Sequence, residues 1–383
     1  MFVIEKVEEK FMELFGSINN TKRFFSPGRI NIIGEHIDYN GGYVMPCAID
    51  LGTYFVMRLN GTNKVNVYSM QFEEMGLVSF EIDDESKNHS YVDYVKGVIK
   101  ILGIKDGFDM VCCGNIPHSS GLSSSASFTT GIGYGITYLL NRTVEKTELA
   151  LACKRVENEF IGINSGIMDQ FIICNGVENG ALLLDCNTLE YETIPFELED
   201  NVLIVAGTNK KRKLSDSKYN ERKAQCDKIL EILNQKGYQY KYLCEIDNEK
   251  LNELMPLIDD ETLQRRFRHV VSENVRTINA SKALKRHDIK TLGALLTASH
   301  MSLELDYEVT GKELDTLVHG FLDQPGCVGA RMTGAGFGGC AIAIFKKGFE
   351  KQALAKVKDT YVQEIGYEPS FYEVKISGHT RQN

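Results

Sequence analysis

Residues 114–127 read GNIPHSSGLSSSAS, six serines crowded around Gly121 just after Pro117. The apolar run GFDMVCC precedes them and FTTGIGYGITYLL follows. A Ser/Gly-rich stretch often reads as a flexible linker. This one is short, however, and strong element signals bound it on both sides. A helical apolar period begins within a few residues of the last serine, so the stretch reads as a loop feeding the first turn of a helix. Such a loop aims unpaired backbone N–H groups and the positive end of the helix dipole at one spot, which suits phosphate. Small residues let an anion approach the backbone closely.

Around that loop, 383 residues suggest about two domains and support a full core. Hydrophobic content of 43% with 25% charged residues is that of a globular chain. A net charge of -9 argues against nucleic acid as the partner of the whole molecule. The basic cluster NKKRK at 209–213 reads as a solvated loop or a patch beside an anionic ligand. No apolar run approaches the roughly 18 residues of a membrane span. The N-terminus carries acidic residues within an apolar stripe of Val3, Val7, Phe11 and Leu14, the pattern of an amphipathic helix and not of a signal peptide. Ten cysteines occur without a CxxC pair, which offers neither a zinc framework nor a disulfide scaffold. The expectation is a reduced, cytoplasmic protein.

Outward from the serine loop, the patterning predicts helices at 91–102, 124–140, 147–160, 165–176 and 349–363. Apolar stretches around 43–58, 65–70 and 76–82, punctuated by Asn-Gly and Gly, predict antiparallel strands. FFSPGRINIIGEH, GFDMVCC, NVLIVAGT, CVGARMT, CAIAIF and FYEVKI read as further strands, and helical periodicity dominates 216–322. The elements follow no regular βαβ beat, so the fold class is α+β in two domains, 1–200 and 201–383, with the seam near 195–210.

Three phosphate-binding patterns fail or lose their context. Gly311-Lys312 is followed by Glu313, so no P-loop is present. The GxGxxG at Gly334, Gly336 and Gly339 leads into a strand, whereas a dinucleotide fold needs it to open a helix. Neither HRD nor DFG occurs, which removes the protein-kinase reading. A different segment, SPGRINIIGEHIDYNGGYVMPCAID at 26–50, collects Arg29, Glu35, His36 and Asp38 on one non-periodic loop. Carboxylates, an imidazole and a guanidinium together suit a polyhydroxylated ligand, whose hydroxyls need donors and acceptors.

GRINIIGEHIDYNGGYVMPCAID resembles the galactokinase signature, and PHSSGLSSSAS and ARMTGAGFGGCAI resemble the second and third motifs of the GHMP small-molecule kinases. The likeness extends to VENEF, SGIMDQF and TNKKRKLSDSKYNER, so it covers nearly the whole chain. It implies a GHMP kinase fold, with a ribosomal-protein-S5-like N-terminal domain, a ferredoxin-like C-terminal domain and the site between them. It also implies transfer of the γ-phosphate of MgATP to the C1 hydroxyl of α-D-galactose, by a protein expected to be a monomer.

Residue by residue, the resemblance implies that Glu35, His36 and Asp38 hold sugar hydroxyls in a substrate-binding stretch that includes Ile37, with Gly166 and Tyr219 adding contacts. Ser119, Ser120, Gly121, Leu122, Ser123, Ser124 and Ser125 would wrap the nucleotide phosphates, Ser69 would touch the nucleotide, and Ser125 and Glu157 would ligate magnesium. Asp169 and Arg29 take the catalytic positions. Phosphoryl transfer rests mainly on positioning and charge neutralisation. Asp169 is therefore expected to orient the hydroxyl and accept its proton late, while Arg29 holds that carboxylate and stabilises the transferring group. Ser119 and Ser120 replace the usual glycines before GLSSS, and Ser165 replaces a common cysteine. An N-acetylgalactosamine kinase shares these motifs. A non-catalytic galactose/ATP sensor is less consistent with the complete Ser123-Ser124-Ser125-Ala126 run.

Overall fold

The computed structural model describes residues 3–117, 121–163, 166–210 and 215–383. In chain order its first half contains α1 (Val3–Phe15), β1 (Lys22–Asn31), β2 (Tyr43–Val44), β3 (Pro46–Leu59), β4 (Lys64–Ser69), β5 (Val78–Glu81), α2 (Tyr91–Leu102) and β6 (Phe108–Gly114). Helices α3 (Ser124–Leu139), α4 (Lys146–Arg155) and α5 (Met168–Asn175) follow, then β7 (Gly180–Asp185) and β8 (Tyr191–Pro195). The second half runs β9 (Asn201–Gly207), α6 (Ser215–Gln235), α7 (Asn248–Leu254), α8 (Glu261–Leu284), α9 (Ile289–Ser302) and α10 (Lys312–Leu322). It closes with β10 (Cys327–Thr333), β11 (Cys340–Lys346), α11 (Glu350–Ile365), β12 (Ser370–Val374), β13 (Ile376–Ser377) and β14 (Arg381–Gln382).

A mixed sheet of order β14-β1-β3-β6-β4-β5, with β13 beside β3, forms the N-terminal lobe. Side-chain alternation assigns its faces, as a two-residue period requires. Val56, Tyr68 and Val111 pack on Val7 and Phe11 of α1, while Phe55, Met57, Met110 and Cys112 pack under α2 and α3. Helix α3 sits close because Gly131 and Gly135 face the sheet; a Cβ on Gly131 would lie 2.2 Å from the Phe55 ring. The strands expected to be antiparallel do alternate in direction, though β3 and β4 are not neighbours. β4 and β5 pair antiparallel, but β6 lies between β3 and β4 and runs parallel to β4. The reason is α2, which carries the chain back across the sheet and lets the apolar β6 take the central place.

The C-terminal lobe holds an antiparallel sheet, β10-β11-β9-β12, and β2, β7 and β8 form a small third sheet. The residues between β8 and β9 fall within the expected seam. The tail nevertheless returns: β13 pairs with β3, β14 pairs with β1, and Thr380 Oγ1 bonds Ser26 Oγ at 3.0 Å. Two helices differ from expectation. The one at 147–160 is α-helical only to Arg155 and continues as a π turn, Val156–Ile161. The one at 165–176 begins at Met168, and residues 164–165 lie outside the described set.

Candidate active site

Arg29 and Asp169, 140 residues apart, meet between the serine loop and the start of α5. The guanidinium clamps the carboxylate in a fork, Nε to Oδ1 and Nη2 to Oδ2, each at 2.7 Å. Its remaining Nη1 donates to Gly121 O at 2.6 Å, and the Arg29 N–H donates to Leu122 O at 3.2 Å. This closeness explains Gly28, where a Cβ would stand 2.9 Å from Leu122 O. Arg29 is buried, whereas 31% of the Asp169 side chain is exposed. The carboxylate can therefore meet a substrate while its partner stays fixed. Ser123, in left-handed backbone at φ 60°, donates its hydroxyl to Asp169 Oδ2. One serine of the expected phosphate set thus turns toward the acid. Ser119 and Ser120 lie outside the described residues.

Asp38, Gly166 and Tyr219 line a cavity of about 200 Å³ together with Tyr39, Ile167, Cys186 and Lys154. Gly166 is required there, since a Cβ would fall 2.6 Å from Asp38 Oδ2. Burial, with Glu35 and Asp169 nearby, pushes the Asp38 carboxyl up to about 6. Glu35 and His36 stand at the back of this region, bonded within the protein. Glu35 accepts from Gly334 N at 2.6 Å, from Thr333 Oγ1 at 3.1 Å and from Asn31 Nδ2, with Arg331 Nη2 at 3.5 Å. Its burial raises its pKa, and Arg331 offsets part of that rise. His36 Nε2 donates to Ala335 O at 3.1 Å, so Nδ1 accepts from Tyr39 OH at 2.9 Å, and Tyr39 bonds Tyr307 at 2.9 Å. Burial pushes His36 down to about 3, which keeps it neutral. The Ile37 side chain is in the core.

A second cavity, about 220 Å³, opens at the N-terminus of α3. Ser124, Ser125 and Ser69 line it with Thr53, Gln71 and four aromatic residues, Phe72, Tyr91, Tyr94 and Phe128. Phe72 and Tyr91 stack with centroids 5.3 Å apart. Glu157, buried in the π turn, adds with burial to the upward shift of the Tyr94 hydroxyl, and Tyr94 lines this cavity. The GxGxxG segment is the turn joining β10 to β11, with Gly334, Gly336 and Gly339 at φ 85°, 77° and 96°. A Cβ on Gly334 would be 3.7 Å from Gly121 O, so this turn abuts the serine loop. Of the basic cluster, Lys210 pairs with Glu313 at 2.9 Å, and residues 211–213 lie outside the described set.

Several residues escaped the sequence reading. Thr333 and Arg331 fasten the glycine turn to the sugar stretch, and buried Glu273 on α8 accepts from Gly34 N at 3.0 Å. No local pattern marks them, because each acts on a segment more than two hundred residues away. The cavity aromatics sit at ordinary core spacing, which hides them equally well.

Comparison with known proteins accords with this geometry. The galactokinase galactose-binding signature matches residues 9–59, and the GHMP kinase N-terminal and C-terminal domains match 93–177 and 280–363. The galactokinase of Ligilactobacillus salivarius is 47% identical over 382 residues, 98% of each chain. The chain belongs to the galactokinase family. Among solved structures, Lactococcus lactis galactokinase complexed with galactose superposes with a TM-score of 0.95 at 44% identity, covering 100% of both chains. The Methanococcus jannaschii mevalonate kinase, at 20% identity and a TM-score of 0.65 over 94% of this chain and 99% of its own, shares the GHMP fold. A galactokinase is a phosphotransferase, and the α+β reading in two GHMP lobes stands.

Proposed function

We propose that this protein transfers the γ-phosphate of ATP to the C1 hydroxyl of α-D-galactose. The observation that carries the reading is the fork between Arg29 and Asp169, which also grips the serine loop through Gly121. The Asp169 carboxylate in it is part-exposed, and the serine loop leads into the aromatic cavity at the start of α3. In this reading Asp169 orients the sugar hydroxyl and accepts its proton as transfer proceeds. Arg29 keeps that acid in place and lies near enough to the serine loop to favour charge on the moving phosphoryl group. Asp38, Gly166 and Tyr219 hold sugar hydroxyls, with Glu35, His36 and Ile37 shaping the stretch behind them. The first turn of α3 receives phosphates on its N–H groups, and the cavity with Ser69 takes the base.

Magnesium belongs to the same proposal. Magnesium keeps several waters and needs few protein oxygens. A half-buried hydroxyl, Ser125, and a buried carboxylate, Glu157, supply oxygen ligands of the kind that requirement needs. Bound there, the ion would neutralise phosphate charge. A monomeric cytoplasmic enzyme with lobes at 1–200 and 201–383 completes the proposal, its tail returning to the first lobe. Among the described residues no helix is long and apolar enough to cross a membrane.

The test is kcat/KM for galactose, glucose and N-acetylgalactosamine at saturating MgATP. A buried site leaves a partner unpaired when a hydroxyl is inverted, which costs about 1–3 kcal/mol for a neutral group. Galactose should therefore exceed glucose, its C4 epimer, by tenfold or more. Equal or better use of N-acetylgalactosamine would move the protein to that kinase class.

A further inference from the structure

Behind the glycine turn lies a polar cluster that the proposed reaction does not use. His300, near the end of α9, is fully buried. Its Nε2 faces Asp315 Oδ1 at 3.7 Å and Glu304 Oε2 at 3.9 Å. Glu304 sits in a second π turn, Leu303–Tyr307, and also accepts from His319 Nε2 at 3.0 Å. On the ring's other side, the Met332 N–H of β10 donates to Nδ1 at 3.3 Å.

Ligand atoms of His300, Glu304 and His319 lie within 4.8 Å of one another, a spacing compatible with a divalent metal. The ring argues otherwise. A neutral imidazole protonates one nitrogen only. Because Nδ1 accepts, Nε2 carries the proton and has no lone pair for a metal. Burial, with His319 and Arg331 nearby, pushes His300 down to about 3, so the ring stays neutral. The Met332 N–H at Nδ1 thus sets the tautomer, and the Nε2–H faces two carboxylates that lie beyond direct hydrogen-bond reach.

We propose that His300 is a positioning residue for the glycine turn: buried and neutral, with its proton on Nε2 toward Asp315 and Glu304, it anchors β10 at Met332 through Nδ1. β10 is an edge strand, and this amide bonds a side chain where its sheet supplies no further strand. The next two residues, Thr333 and Gly334, bond Glu35. Gly334 in turn abuts Gly121, whose carbonyl binds Arg29. A shift at Met332 therefore reaches the sugar stretch and the catalytic pair together.

The inference rests on the kinase reading, and its test separates the two. Asn places an acceptor near the position of Nδ1, whereas Gln of similar polarity places its amide further out. His300→Gln should lower kcat about tenfold and raise KM for ATP, and His300→Asn should restore most of both. Hydrogen exchange at the Met332 amide should be faster in His300→Gln than in His300→Asn. Equal kinetics and equal exchange in the two variants would overturn the proposal. So would a zinc-dependent rise in the wild-type unfolding midpoint that His319→Ala abolishes. If the wild type turns over no galactose, the functional reading fails, and the exchange comparison still decides the anchor.

Discussion

The Asp169 carboxylate accepts from two guanidinium N–H groups and one hydroxyl, all from segments that also shape the serine loop. Charge-assisted forked bonds of this kind fix orientation as well as position. Asp169→Asn would set an NH₂ against an Arg29 N–H and remove one acceptor, while changing volume hardly at all. Turnover should fall by about 10²–10⁴-fold, the usual range for a lost general base, with ATP binding and the unfolding midpoint near wild type. Retention of more than half the wild-type kcat would remove Asp169 from the reaction. At this scale the sequence showed the residue types well, and Arg29, Glu35, His36 and Asp38 stood out as a polar group on one loop. It did not show the pairing with Asp169, because a contact across 140 residues leaves no local trace. Only the likeness to known motifs supplied it.

Elements show a second limit. Helices α2 and α3 and the strand β6 follow their apolar periods closely, so they were legible. The π turn at Val156–Ile161 was not, since a one-residue widening leaves the apolar pattern almost unchanged while turning Glu157 inward. β8 was missed because four of its five residues are exposed. Glu157 in the widened turn acts on Tyr94, which lines the same cavity as Ser125. Glu157→Gln and Ser125→Ala should each raise the magnesium concentration needed for half-maximal rate and leave galactose binding largely intact. Magnesium titrations indistinguishable from wild type in both variants would place the ligands elsewhere. The glycine turn gives an independent check on elements. Gly336 has φ 77°, and a Cβ there would lie 2.2 Å from Val309 O. Gly336→Ala must shift the turn against Gly121, so kcat/KM should drop tenfold or more, a penalty of about 1–3 kcal/mol. Unchanged kcat/KM would mean that the turn does not reach the site.

For the whole molecule, strand order and the returning tail were beyond the sequence, since both depend on pairings between distant segments. The same long-range packing buries titratable groups that a sequence would place at the surface, and this sets how stability depends on pH. His36, His269 and His300 are buried and held neutral, their pKa values pushed down to about 3, 4 and 3 chiefly by burial. In the unfolded chain each takes a proton near pH 6.5. Their contribution is therefore intact above about pH 6.5 and is lost as pH falls toward the folded values. Asp38, raised to about 6, and Glu35 and Asp315, also raised by burial, act in the opposite sense, because the fold takes up their protons before the unfolded chain does. These three histidines, with His379 also lowered and Glu273 held down to about 2, outnumber the three raised acids and leave a net proton uptake on unfolding between about pH 4 and 6. Stability should thus fall on acidification by on the order of 1–3 kcal/mol per pH unit in that window. Urea unfolding at pH 7.5 and pH 5.0 measures it, and a midpoint that stays level or rises at pH 5.0 would contradict the buried neutral histidines. Replacing His269, which bonds Glu35 O at 3.1 Å and Ser302 Oγ at 2.9 Å, by Gln should lower stability at pH 7.5 yet flatten the pH dependence by about one proton. Losses of equal size at both pH values would leave that histidine without a part in the acid sensitivity.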